Sequence, residues 1–441
     1  MSRGADPAGD AGTGGGGVGL PAAAPRGFSL PIQEVRAAGL TAWLVEDHSI
    51  PVVSISWSWP GGAALDPAGA EGTASMAAAL LTEGAGPLRA VAFADALRDE
   101  AIGLHFSADR DSTEGGFRCL TDALPEAVRL ARLAMAEPRL DPDAVERVRA
   151  RATAAARRTL ETPRGQAGRA FWASAYPTHP AGRQSGGTAE SLAGIGLPAL
   201  REALARQIHR GEPLLVAAAG AVTPARLGEA MEELFGALPA GSAPVPPPLP
   251  PFRAFGREVV GMASPQSSVV FGHEGLAAAD PDWEAAQVAL RILAGGGFPS
   301  RLMQAVRVER GLAYGIGGGL NILFRHGVVV GSVSTENARV AETLAVTRAE
   351  WARMAEGGPT AEEVADAVAY LTGSLPLQFG DSRTIADSLL GMRQNGRPLG
   401  WLAGRPARLA ALTRERVAQV AARLLRPEAL SVVVAGEPVG L

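Results

Sequence analysis

Residues 41–69, TAWLVEDHSIPVVSISWSWPGGAALDPAG, and residues 267–297, SSVVFGHEGLAAADPDWEAAQVALRILAGGG, decide the fold between them. The first gives strand, turn, strand and an Asp66-Pro67 turn; the second gives strand, an Asp280-Pro281 turn and a helix ending at glycines. The ends of the two halves match as well. Residues 190–222, ESLAGIGLPALREALARQIHRGEPLLVAAAGAV, and residues 407–439, ARLAALTRERVAQVAARLLRPEALSVVVAGEPV, each read as a helix and then a strand closing on Ala-Gly. An order that recurs after about 200 residues points to duplication. The expected fold is therefore α+β, with two homologous lobes of about 200 residues, each an antiparallel or mixed sheet packed with helices.

Residues 237–252, ALPAGSAPVPPPLPPF, are Pro-rich and nearly charge-free, which predicts an extended linker between the lobes. The expected organisation is a disordered Gly/Pro/Ala tail at 1–27, a lobe at 28–236, the linker, and a second lobe at 253–441. Between the landmarks, residues 124–138 and 141–163 have helical periodicity, with Asp141 or Asp143 placed to cap the second helix.

The chain has 441 residues, too many for one ordinary core, with a formal net charge of -4 and a pI near 6.0. No run of Arg with interleaved aromatics is visible, so nucleic acid is not an expected partner. No apolar run approaches the roughly 20 residues of a membrane span, so no membrane partner is expected either. The tail lacks the continuous apolar core of a secretory signal, so the sequence as it stands reads as cytoplasmic; a misplaced start or a removed signal would make it periplasmic. Cys119 is the sole cysteine, which excludes an intramolecular disulfide and a thiolate zinc cluster. All 41 residues counted as Lys or Arg are arginine, so Schiff-base chemistry, a P-loop and a Ser-Lys dyad are excluded.

Catalytic groups are scarce. Residues 61–86, GGAALDPAGAEGTASMAAALLTEGAG, lead through a glycine-rich turn into a buried Ala-rich helix with nothing on it that performs chemistry. The six histidines, His48, His105, His179, His209, His273 and His326, are too far apart in sequence for any two to share a helical face, and each reads as a surface or packing residue. There is no G-x-S-x-G elbow. GIGGGL at 315–320 lacks dinucleotide-binding spacing and follows a tyrosine instead of opening a helix. Glu362 and Glu363 sit where a helix start after Pro359-Thr360 welcomes negative charge.

Four segments taken in order, DPAGAEGTASMAAALLTEGAG (66–86), YPTHPAGRQSGGTAESLAGI (176–195), SRLMQAVRVERGLAYGIGG (300–318) and YLTGSLPLQFGDSRTIADSLL (370–390), resemble the insulinase/pitrilysin family of inverted zinc peptidases. The resemblance covers roughly residues 28–441, and VRVERGLAY at 306–314 is its most specific piece. In active members the helix after the D-P-x-G turn carries H-x-x-E-H, two zinc-binding histidines and a water-activating glutamate. By the flanking Gly72 and Gly84 those positions are Ser75, Ala78 and Ala79 here, and the third ligand, a glutamate, falls near Ala155. None of these side chains binds zinc, so the resemblance implies a chain with no metal cofactor of its own and no activity alone.

The resemblance also implies a role. Some members divide the work between a zinc-bearing subunit and a homologous subunit with a degenerate motif that supplies an Arg and a Tyr. Here these are Arg307 and Tyr314, which would bind substrate carbonyls or the oxyanion in trans beside the partner's zinc. The expected function is thus the non-catalytic, substrate-binding subunit of a heterodimeric zinc endopeptidase, with a zinc-bearing homologue as partner and peptides or unfolded protein as substrate. The competing expectation is a structural or assembly scaffold of the same fold. AGGGFPSRL at 294–302 is shorter than the Gly-rich presequence-reading loop of the mitochondrial processing peptidase, which argues against presequences as substrate.

Overall fold

The computed structural model describes residues 28–211, 213–241, 244–295 and 297–441, so the tail expected at 1–27 lies outside the described residues. Among those described, the first half builds a six-stranded sheet in the order Ile32–Ala37, Leu40–Glu46, Leu215–Gly220, Val52–Pro60, Ser112–Leu120, Gly103–Ala108. Leu40–Glu46 and Leu215–Gly220 run parallel, and every other neighbouring pair is antiparallel. The second half builds five strands in the order Arg257–Gly261, Ser431–Gly436, Gln266–Glu274, His326–Glu336, Ala313–Leu323. Its first pair is again parallel and the rest antiparallel. Apart from the edge strand Ile32–Ala37, order and direction repeat. The chain is two homologous mixed-sheet lobes.

Each sheet has one face on its own lobe's core and one face covered by the other half. In Val52–Pro60 the residues Val53, Ile55, Trp57 and Trp59 are fully buried in the first core. The alternate Ser54, Ser56 and Ser58 would ordinarily face water, yet they too are buried. Helix Ser382–Gln394 from the second half lies on them. Ser56 donates to the Asp387 carboxylate at 2.7 Å, Gln394 donates to Ser58 Oγ at 2.9 Å, and Ser54 and Ser382 share a hydrogen bond of 2.9 Å. Beside this polar row Leu389 and Ile385 pack on Trp43, Val45 and Ala219.

The exchange is reciprocal. Helix Pro163–Ala175 of the first half lies on the second sheet, where Ala167 and Phe171 pack with Val270, Val433 and Ala435. Gly272 makes this approach possible, since a Cβ there would stand 2.9 Å from the Phe171 ring. Residues 237–256 hold no helix or strand among the described residues, and Phe252 and Phe255 pack on Phe171 with ring centroids 5.9 and 5.8 Å apart.

Two local expectations need correction. Asp141 does occupy the N-cap position of helix Pro142–Leu160, but its side chain caps nothing, because Arg139 draws the carboxylate away at 2.8 Å. Glu363 does more than answer a helix dipole: it closes a capping box with Thr360 and grips Arg301 through two 2.7 Å hydrogen bonds. No described helix is long and apolar enough to cross a membrane.

Candidate functional site

The helix Thr73–Leu80 is set from below by Asp66. Its buried carboxylate accepts hydrogen bonds from the Gly72 and Ala74 backbone N–H groups, both at 2.9 Å, and burial raises its pKa to about 6 against those bonds. Gly72 takes a left-handed φ of 95° and lies so near the loop at Gly186 that a Cβ would come within 2.9 Å of the Gly186 carbonyl oxygen. Backbone and one carboxylate therefore fix the helix, with no metal required.

Ser75 and Ala79, four residues apart on this helix, line a cavity of about 910 Å³. Helix Pro142–Leu160 brings Ala155 to the same wall. Three of the four positions that the resemblance assigns to the degenerate zinc motif are thus assembled, whereas Ala78 is buried at 1% exposure and does not line the cavity. Ser75 spends its hydroxyl proton on the Ser185 carbonyl at 2.9 Å, and Ala79 and Ala155 offer only methyl groups. These residues do not fit a zinc ion. Among the described residues no three His, Cys, Asp or Glu gather into a metal-binding group. Cys119 is a core residue whose thiol is pushed up to about 12 by burial, far from a reactive thiolate.

What the cavity does carry is arginine. Arg110, Arg151, Arg158, Arg164, Arg169 and Arg183 line it, and none of its lining residues is Asp or Glu. Arg151 reaches Glu83 at 3.3 Å and Arg183 reaches Glu71 at 3.8 Å. Arg110, Arg158, Arg164 and Arg169 form no ion pair among the described residues. Arg110 is packed over the Trp172 ring at 4.8 Å and donates to the Ala181 carbonyl at 3.2 Å. The sequence shows no run of arginines here, and the grouping arises from tertiary packing. The cluster is drawn from two helices and two loops, so no window of sequence displays it.

Arg307 and Tyr314 do come together. Arg307 stands on a π-helix over Met303–Val308, with Glu309 N–H bonded to Gln304 O at 2.9 Å, five residues back. Gly311, at φ 59°, ends it: Gly311 N–H meets Arg307 O at 2.9 Å and Leu312 N–H meets Val306 O at 2.8 Å, a glycine cap widened by the π turn. The chain then enters strand Ala313–Leu323, and the Arg307 guanidinium lies 4.3 Å from the Tyr314 ring and 4.7 Å from the Phe298 ring. Tyr314 is 85% exposed. Arg301, at the start of this segment, is the residue that Glu363 holds, so the turn is anchored to helix Ala361–Gly373. Tyr314 lines a second cavity of about 380 Å³, and Arg164 belongs to the lining of both.

Comparison with known proteins finds inactive peptidase homologues. Residues 203–371 match the family described as peptidase M16 inactive domain. The chain is 26% identical over 355 residues to the non-peptidase homologue YmxG of Helicobacter pylori, covering 79% of this chain and 81% of that protein. It is 33% identical over 183 residues to an uncharacterised zinc protease of Streptomyces coelicolor, but spans only 40% of that relative's length. A solved peptidase M16 inactive domain from Pseudomonas fluorescens superimposes with a TM-score of 0.87 at 26% identity, over 93% of this chain and 99% of that one.

Proposed function

We infer the role of this chain from its family, for it belongs to the insulinase/pitrilysin zinc peptidases as an inactive homologue. The reading that follows is a non-catalytic subunit that pairs with a zinc-bearing homologue and supplies Arg307 and Tyr314 to the substrate held at the partner's metal. The observation that carries it is the Arg307–Tyr314 pair itself. A guanidinium packed against two rings leaves its N–H edge available, and the Arg307 side chain makes no hydrogen bond or ion pair among the described residues. The Tyr314 hydroxyl is likewise uncommitted on a side chain that water surrounds. The ring contacts hold the guanidinium in place but leave the donors of both side chains unused. This arrangement suits recognition of a peptide carbonyl or of the oxyanion that forms when water attacks it.

Nothing in this chain activates the water; that chemistry belongs to the partner. This chain's part is to orient the peptide and to stabilise developing charge with groups already in place. The test is reconstitution with a homologue that carries an intact H-x-x-E-H. Arg307→Ala and Tyr314→Phe should each lower turnover of the complex roughly ten- to a thousandfold while the complex still forms. Unchanged turnover in both variants, with assembly verified by sizing, would remove the catalytic role and leave an assembly scaffold.

A further inference from the structure

The arginine-lined cavity is not explained by a role for Arg307 and Tyr314. In a chain whose net charge is -4, six arginines around about 910 Å³ without one carboxylate in the lining is a local reversal of sign. A concave wall of one charge focuses its field into the cleft. Two of the six are answered by Glu83 and Glu71 from outside the lining, and four have no ion-pair partner among the described residues. Between the arginines the surface is uncharged and in part apolar: Met76, Val148, Ala152, Ala156 and Trp172 contribute to the same walls, with Thr159, Thr162 and Gln184 among them. The volume is that of pockets that enclose an organic ligand, roughly 300–1,000 Å³.

We propose that this cavity, at the position where active relatives hold zinc, is a binding site for a carboxylate-rich peptide segment. The guanidinium groups match carboxylates in paired hydrogen bonds, and the apolar floor takes the intervening side chains or backbone. A nucleic acid fits less well: its phosphates favour an extended basic track with several stacking rings, and Trp172 is the single aromatic in the lining. The proposal rests on the peptide-binding reading above for its class of ligand, but it concerns this chain alone and needs no partner. Arg164, shared with the Tyr314 cavity, puts the acidic segment next to the residues that would present a scissile bond.

The experiment is fluorescence anisotropy of a labelled oligoglutamate peptide with the isolated full chain at low salt. Binding should weaken roughly tenfold or more in Arg158→Glu and in Arg169→Glu, and less in the corresponding Gln variants. Both arginines are exposed on helix surfaces, so folding is expected to persist, which the thermal midpoint verifies. Arg36→Glu, on the far edge strand of the first sheet, carries the same charge change and should leave binding within about twofold, since it lies outside the cavity lining. The proposal is overturned by equal weakening in Arg36→Glu, by an oligonucleotide of equal charge binding as tightly, or by no binding of oligoglutamate. Failure here leaves the Arg307 and Tyr314 result untouched, and failure there leaves this one standing.

Discussion

Phe171→Ala probes the exchange of helices between the lobes. Phe171 belongs to the first half in sequence, yet its fully buried ring sits on the second sheet against Val270, Val433 and Ala435, with Trp172, Phe252 and Phe255 around it. Truncating a buried Phe costs about 3–5 kcal/mol, and the loss sits toward the upper end where the site cannot collapse. Collapse is restricted here, because helix Pro163–Ala175 is pinned at its start by Thr162, which caps Gly165 N–H at 3.1 Å. At about 1.4 kcal/mol per tenfold, a loss of about 4–5 kcal/mol corresponds to roughly a thousand- to four-thousandfold in an opening equilibrium. Hydrogen exchange read by mass spectrometry separates the possibilities. Strands Gln266–Glu274 and Ser431–Gly436 should lose protection by that factor together with the helix, although neither strand is near residue 171 in sequence. If the helix alone exchanges faster while both strands keep their wild-type rates, the helix is a local attachment and the account of two interlocked lobes is refuted.

The zinc site can be tested by restoring it. Ser75→His and Ala79→His with Ala155→Glu should bind one zinc per chain by elemental analysis, whereas the unaltered chain should hold none at this position; retention of one tightly bound zinc by the unaltered chain would contradict the reading. Adding Ala78→Glu should lower the thermal midpoint, because that position is buried at 1% exposure and a carboxylate there lacks water. His273 gives a pH dependence. Its Nδ1 donates to the Glu274 carbonyl at 2.7 Å and its Nε2 accepts the Trp351 indole N–H at 3.1 Å, so the ring is held neutral, and burial depresses its pKa to about 4. A depressed histidine contributes stability that is complete above pH 6.5 and lost as pH falls through 4, here on the order of 3 kcal/mol. Urea melts across that window should show this slope, and His273→Gln should flatten it; an equal slope in both would assign the loss to other groups.

The fold was legible because strand order, D-P turns and closing Ala-Gly strands recur in both halves, and local patterns report such features. The helix exchange was not, since Ser54, Ser56 and Ser58 look the same to a sequence reading whether water or a helix lies over them. Arg307 and Tyr314 could be named only through the family resemblance of residues 306–314, and the left-handed turn at Gly311 is what brings them together. The six arginines could not, because residues 110, 151, 158, 164, 169 and 183 meet only through tertiary packing. Ala78 shows the converse limit: motif spacing assigned it to the site, and the helix turned it into the core.

The inactive site keeps its shape for a physical reason. A structural zinc supplies folding free energy, so its loss unfolds the domain. Here the helix that would carry the ligands is held instead by the Asp66 carboxylate on two backbone N–H groups, by the close approach of Gly72 to the Gly186 carbonyl, and by Met76, Leu80 and Leu81 in the first core. None of these contacts involves Ser75, Ala79 or Ala155. The cavity is therefore free of any metal requirement, and its charge can be set by the residues around it. A zinc site presents one dication at a point and polarises one bond. Guanidinium groups spread over about 910 Å³ present positive charge at several points, which suits holding an extended anionic chain and gives no means of cleaving it. If the chain binds peptide as proposed, Arg164, which lines both cavities, is the residue through which a peptide held in one would be felt beside Tyr314.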